Sequence, residues 1–283
     1  MRGRRFKTPS DINRYVAQGY GQGQGVDYRP WLRVQDIPSL GRSRKVQGCK
    51  IPRSYHLLSD LEYAYFVVLE FSDRVLDIRE QYPLFPVSDL QQIAQAKGIR
   101  YPRYAGTDLP FVLTTDFLLT IQTDAGPKLA ARTVKYSSEL APSATLERTL
   151  QKLELEQTFW VDQGVSWGIV TELAIDANLS ENLHWLRGGA VIERHLMQEA
   201  LQQRFLDAFD RLDLESRTLA ANVRRVGQAI HLPYKDALMV FKHLAWRKAI
   251  QLDLKAAPLR LTGATPPMHC VGTPAAPIIQ AVA

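Results

Sequence analysis

A chain of 283 residues, 46% hydrophobic and 23% charged, has the composition of a globular protein with room for two domains. No run approaches the ~18 consecutive apolar residues of a spanning helix, and no apolar segment follows the basic start MRGRRFKTPSD, so neither a membrane span nor a secretory leader is expected. The net charge of +6 suits a polyanionic partner such as nucleic acid, whereas Cys49 and Cys270 are too isolated to found a zinc site, which points to a reduced, cytoplasmic protein.

Residues 1–50 read as a basic, extended arm. Within it GYGQGQG (Gly19 to Gly25) has the look of a flexible linker, and it fails the spacing and strand context of a dinucleotide-binding loop. GRSRKVQGCK then brings Arg42, Arg44, Lys45 and Lys50 close together, either as a solvated loop or as a strip that contacts DNA phosphates without reading sequence.

In HLLSDLEYAYFVVLEF, Ser59 is a good N-cap, and Leu61, Tyr65, Val68 and Leu69 follow at helical spacing. VLDIREQYPL reads as a strand and Gly98 to Pro110 as a loop. Phe111 to Gln122 and Leu129 to Tyr136 read as two strands joined by the turn TDAG. A helix is expected from Thr145 to about Gly164, with Leu146, Leu150 and Leu153 on one face, followed by the short strand VSWGIVTEL. This order of elements is that of the restriction-endonuclease-like core. From about Asn178 the pattern turns helical, then ends in the strand-like AIQLDL, which suits a winged-helix domain. The expected division is an arm over 1–50, a nuclease domain over 51–175, a winged-helix domain over 176–258 and a mobile, Pro- and Ala-rich tail over 259–283. The tail's apolar end, Pro277 to Val282, suits docking on a partner.

Two charges interrupt the apolar hairpin. With the turn on Asp124 and Ala125, Asp116 falls opposite position 133, on the face that also carries Thr133 and Lys135. A carboxylate facing x-Lys is what metal-assisted phosphodiester hydrolysis requires, and a plain cross-strand ion pair accounts for it equally well. Glu62 is the candidate third member, although Ser59-x-x-Glu62 is also a capping box. Glu70, Glu80, Glu139, Glu154 and Glu156 compete for a place in the site, and His56, just before the helix, reads either as an ordinary surface histidine or as a phosphate contact.

PSLGRSRKVQG, HLLSDLEYAYFVVLEFSDRVLDIREQYPL, TTDFLL, RTVKYS and LQKLELEQTFW together resemble the TnsA endonuclease family, distinctly from about Trp31 to Leu173 and less so beyond. The resemblance implies a catalytic Glu62, Asp116 and Lys135, with Glu62, Asp116 and Thr133 around Mg2+ or a substituting Mn2+. Thr133 departs from the Gln, Glu or Asp found two residues before the lysine in relatives, and a hydroxyl is a weaker metal ligand. The implied activity is cleavage at the 5′ ends of a transposon, with a TnsB-type transposase and a TnsC-type AAA+ ATPase as partners. A stand-alone nuclease of the same fold, or a silent DNA-binding adaptor, are the alternatives. Neighbouring transposase and ATPase genes would separate the first of these from the family reading.

Overall fold

The computed structural model describes residues 6–36, 42–214 and 217–272. They divide into two compact units, Met1–Ile175 and Asp176–Ala283.

The first unit is built on a four-stranded sheet. Strand β3 (Val75–Pro83) follows helix α2 (Asp60–Phe71), which itself follows α1 (Pro9–Ala17) and the short antiparallel pair β1 (Arg44–Gln47) and β2 (Ser54–Leu57). Then come α3 (Val87–Ala96), β4 (Thr114–Thr123), β5 (Gly126–Val134), α4 (Leu146–Asp162) and β6 (Ser166–Val170). The sheet order is β3-β4-β5-β6, with β3, β4 and β5 antiparallel and β6 parallel to β5. A two-residue turn closes β4 on β5, whereas the parallel β5–β6 step needs α4 as its crossover. Leu118 and Ala131 face one another across β4 and β5 and bury with Leu155, Phe159 and Trp160 of α4 and Leu90 and Ala94 of α3. This mixed α/β sheet is compatible with a restriction-endonuclease-like core.

Three expectations need correction. The N-terminal arm is folded: Phe6, Tyr15 and Trp31 are buried together with Leu109 and Val112, because this segment holds the aromatics that complete the core. Nor is Gly19 to Gly25 a free linker. Gly21 has φ +75°, its N–H donates to the Arg29 carbonyl at 2.6 Å, and a Cβ there would lie 2.3 Å from Pro83, so close packing and the left-handed backbone both require glycine. On α4, Leu150 is exposed, and the buried face runs through Leu153, Leu155, Glu156, Phe159 and Trp160. Helix α3 went unread because only Leu90 and Ala94 of its ten residues are buried, too few to mark a helical face.

The second unit comprises α5 (Ala177–Arg187), α6 (Glu199–Asp210), α7 (Leu219–Ala229), α8 (Tyr234–Trp246) and the antiparallel pair β7 (Ile250–Leu252) and β8 (Met268–Cys270). Its core gathers Phe205, Phe209, Val223, Val226, Val240 and Phe241, all buried. The tail expected from residue 259 is partly built in: β8 pairs with β7, and buried Thr265 accepts from Asn222 Nδ2 at 2.9 Å. The strand AIQLDL draws its partner from that tail. Pro277 to Val282, the proposed docking segment, lies outside the described residues, as does Pro38 to Gly41 of the family-like stretch. Among the described residues no helix is long and apolar enough to cross a membrane.

Candidate active site

Ser59 caps α2, its hydroxyl accepting from the Glu62 N–H at 3.0 Å. The Glu62 carboxylate returns toward the helix start but takes the Leu58 N–H, at 2.9 Å, rather than that of Ser59. Capping and site roles therefore meet in one residue: the cap fixes Glu62, and its Oε2 also accepts from Gln81 Nε2 at 3.4 Å.

Gln81 belongs to β3 and is the residue that sequence reasoning missed. Its φ of +49° is left-handed, uncommon for a non-glycine residue, and its side chain is buried. The amide nitrogen donates to Asp116 Oδ1 at 3.2 Å as well as to Glu62, while its oxygen accepts from Thr114 Oγ1 at 3.3 Å. Strained, buried residues gather at functional sites. The signal was present within REQYPL, as a polar residue in a strand whose neighbours pack, but no periodic pattern distinguishes it from an exposed one.

Phe117 faces Arg132 and Thr123 faces Gly126, the register a turn on Asp124 and Ala125 dictates. Extended one step, it brings Asp116 level with Thr133, and the Val134 N–H donates to Asp116 Oδ2 at 2.8 Å. Lys135 follows β5; its ammonium lies 4.0 Å from the same Oδ2 and donates to the Val134 carbonyl at 3.2 Å. Four separate segments thus bring Glu62, Gln81, Asp116 and Lys135 together.

Burial, and then the neighbouring Asp116 charge, push the Glu62 carboxyl up to about 8. Lys135 moves upward, chiefly because of Asp116, and stays a charged ammonium. A buried carboxyl pushed up beside a second carboxylate is the setting a hard divalent cation relieves. Among the described residues no three His, Cys, Asp or Glu side chains gather closely enough to hold an ion by themselves. The donor set fits Mg2+ only if amide, hydroxyl or backbone oxygens join Glu62 and Asp116.

Thr133 is directed elsewhere. Its hydroxyl donates to Glu156 Oε1, which also accepts from Thr115 Oγ1 at 2.5 Å; Thr115 in turn accepts from Trp160 Nε1 at 2.7 Å. Burial raises the Glu156 carboxyl to about 7, against the pull of these two hydroxyls. Glu156 therefore ties α4 to the strand that ends in Lys135.

The other acidic candidates are engaged with partners of their own. Glu80 is fully buried in a two-pronged pair with Arg53, at 3.0 and 2.5 Å. Glu70 accepts from the Cys49 and Lys50 N–H groups, Glu139 from the Tyr136 N–H, and Glu154 pairs with Lys97 at 2.9 Å. His56 is buried, its Nδ1 accepting from the Val34 N–H at 3.3 Å, and burial lowers its pKa to about 4, which does not suit a phosphate contact. Of the basic strip, Arg42 and Lys45 are exposed. Arg44 pairs with Asp60 and lies over the Tyr63 ring, and Lys50 donates to the Ser72 and Val75 carbonyls, which turns its ammonium inward.

Two family models match the chain, a TnsA-like endonuclease N-terminal domain over residues 72–172 and a TnsA endonuclease C-terminal domain over 174–254. Asp116 and Lys135 fall inside the first match, and Glu62 lies ahead of it. Over 177 residues the chain is 45% identical to the transposon Tn7 transposition protein TnsA of Escherichia coli. That alignment covers 62% of this chain and 61% of the relative's length.

Proposed function

Because the chain belongs to the TnsA endonuclease family, we propose that it hydrolyses a DNA phosphodiester bond at the 5′ ends of a transposon. The observation that carries this reading is the assembly of Glu62, Gln81, Asp116 and Lys135 from four separate segments at one end of the adjacent strands β3, β4 and β5.

Glu62 and Asp116 would hold Mg2+, with Gln81 holding both carboxylates in place through its amide nitrogen and Thr133 acting through Glu156 rather than as a ligand. When bound, the ion supplies positive charge to the phosphate and a more acidic water. Lys135 is held charged by Asp116, so its part is to orient the phosphate and balance negative charge that develops on it, rather than to take a proton. Asp116 has two tasks at different atoms: Oδ2 fixes β5 through the Val134 N–H, and Oδ1 faces Glu62 through Gln81.

The Tn7 relative is named for transposition, and by that likeness we assign the chain a TnsB-type transposase and a TnsC-type ATPase as partners, in the cytoplasm. The second unit, helices followed by a small strand pair, is read as a winged-helix domain serving those contacts. Mapping strand breaks on end-labelled transposon-end DNA, with purified partners and Mg2+, tests the whole reading. The expected result is 5′-end cleavage by the native chain and none by Asp116→Ala, with 3′ cutting by the transposase unaffected. Undiminished 5′ cutting by that variant would sink the assignment.

A further inference from the structure

The loop between α3 and β4 and the first turns of α4 enclose a cleft of about 700 Å3, lined by Arg100, Arg103, Arg148 and Lys152 together with Tyr101 and Tyr104. One carboxylate, Asp108, lines it too, and it is paired with Arg103 at 2.5 Å. Arg148 donates to the Arg100 carbonyl at 2.8 Å and to Gln151, so its guanidinium is held in place without being neutralised. Among the described residues, Arg100, Arg148 and Lys152 have no carboxylate partner, which leaves three uncompensated cations in one concave surface.

Helix α4 connects the cleft to the site. Arg148, Lys152 and Glu156 recur every four residues on α4 and therefore share one side of the helix. Glu156 is the residue bonded to Thr133, two positions before Lys135. Each four-residue step rises ~6 Å, so the row from Arg148 to Glu156 spans ~12 Å. A DNA strand advances ~3.4 Å per phosphate, so Arg148 and Lys152, one step apart, match about two phosphates, and buried Glu156 marks where the helix meets the site. Lys152 also senses the charges at both ends: its ammonium is pushed downward by burial first, then by Arg148 and Lys135.

We propose that this cleft is the phosphate track of the enzyme, holding the backbone of the DNA strand that enters the Glu62–Asp116–Lys135 site. The proposal rests on the DNA-endonuclease reading and adds to it where the substrate lies. Guanidinium and ammonium groups with no base-reading arrangement contact phosphates without sequence preference. The track also relocates the main DNA contact from the Arg42–Lys50 strip, half of which is engaged within the protein.

Binding of the full chain to a fluorescent duplex is measured over a range of salt concentrations for the native protein, Lys152→Ala, the double variant Arg148→Ala/Lys152→Ala, and Arg42→Ala/Lys45→Ala. Loss of two phosphate contacts lowers the slope of log affinity against log salt by ~1.8 and the affinity at 0.1 M salt roughly 10- to 100-fold. Lys152→Ala should lose about half that slope and Arg42→Ala/Lys45→Ala much less. An unchanged melting temperature for the Lys152→Ala variant removes misfolding as an explanation. Native binding with equal slopes in the cleft variants overturns the track while leaving the nuclease reading intact. A native chain that shows no salt-dependent binding overturns the track too, and the strand-break map then decides whether the nuclease reading falls with it.

Discussion

Gln81 donates its amide N–H to Asp116 across the β3–β4 pair at 3.2 Å, and the same nitrogen reaches Glu62 at 3.4 Å. A neutral donor thus stands between two carboxylates, the place where a cation would be most favourable. Asparagine at this position is one methylene too short to span both, and glycine would ease the φ of +49° but remove the bridge. Gln81→Leu should destabilise the metal-free chain by roughly 1–3 kcal/mol, the penalty for buried acceptors left unpaired. Gln81→Glu should melt lower than the native chain in EDTA at pH 8 and gain more from Mg2+, because a third carboxylate adds repulsion that an ion removes. Thermal melts with EDTA and with Mg2+ test both. Equal Mg2+ gains in Gln81→Glu and native protein would exclude Gln81 from the ion's surroundings.

The raised carboxyls of Glu62, to about 8, and Glu156, to about 7, set a pH dependence whose sign is fixed. An acid whose folded pKa exceeds its unfolded one holds its proton more tightly when folded. Its stabilisation is complete below the ordinary carboxyl pKa of ~4.5 and is lost as pH rises through 7 and 8. In EDTA, the urea midpoint of the native chain should therefore fall between pH 5 and pH 9 by more than that of Glu62→Gln/Glu156→Gln. Adding Mg2+ at pH 8 should recover most of the native loss. Parallel pH profiles for the two proteins would show that these carboxyls ionise freely.

The hairpin was legible because period-two alternation and a two-residue turn fix register by themselves; Asp116, Thr133 and Lys135 fall where counting from Asp124 and Ala125 puts them. Helix α2 was legible for the same reason, since a Ser cap and helical spacing are local signals. Gln81 was not, because its importance comes from a left-handed φ and from neighbours 19 and 35 residues away. In the sequence Glu156 is one of five acidic residues competing for a place in the site, and only the fold reveals that Thr115 and Thr133 enclose it. The glycine-rich segment misled through composition: glycine marks flexible linkers and also tightly packed turns, and Gly21 against Pro83 belongs to the second kind.

Arg53 and Glu80 lock β3 to the β2 region beneath the site. Arg53 places its guanidinium 3.7 Å from the centre of the Tyr55 ring and also donates to the Ile78 carbonyl at 2.6 Å, while Glu80 Oε1 accepts the His56 N–H at 3.1 Å. Removing one partner of a buried pair strands the other charge, so Arg53→Ala should cost roughly 3–5 kcal/mol. Arg53→Met/Glu80→Leu removes both charges together and should recover much of that loss. Chemical denaturation of the single and double variants checks it, and a double variant no more stable than Arg53→Ala would mean that the pair's hydrogen bonds to the backbone matter more than its charge.

Thr133 can serve the site in two ways, and one substitution separates them. As a direct metal ligand, its oxygen would be lost in Thr133→Val, and the Mg2+ concentration needed for half-maximal stabilisation would rise. As a positioning residue, it acts through the hydroxyl it donates to Glu156, and valine of similar shape leaves that carboxylate one donor short. The Thr133 bond is one of the influences that hold the Glu156 carboxyl down, so its loss drives Glu156 further above about 7. The neutral form then persists to higher pH, and the link between α4 and the Lys135 strand weakens as an acceptor turns into a donor. The geometry favours the second role. Thr133→Val should lower stability by roughly 1 kcal/mol, move the alkaline fall of the urea midpoint to higher pH, and leave the Mg2+ requirement for stabilisation unchanged. Glu156→Gln serves as the comparison: it can still accept from Thr133 but no longer titrates, and its pH profile should be the flatter of the two. A raised Mg2+ requirement in Thr133→Val with an unmoved pH profile would return Thr133 to the ligand set.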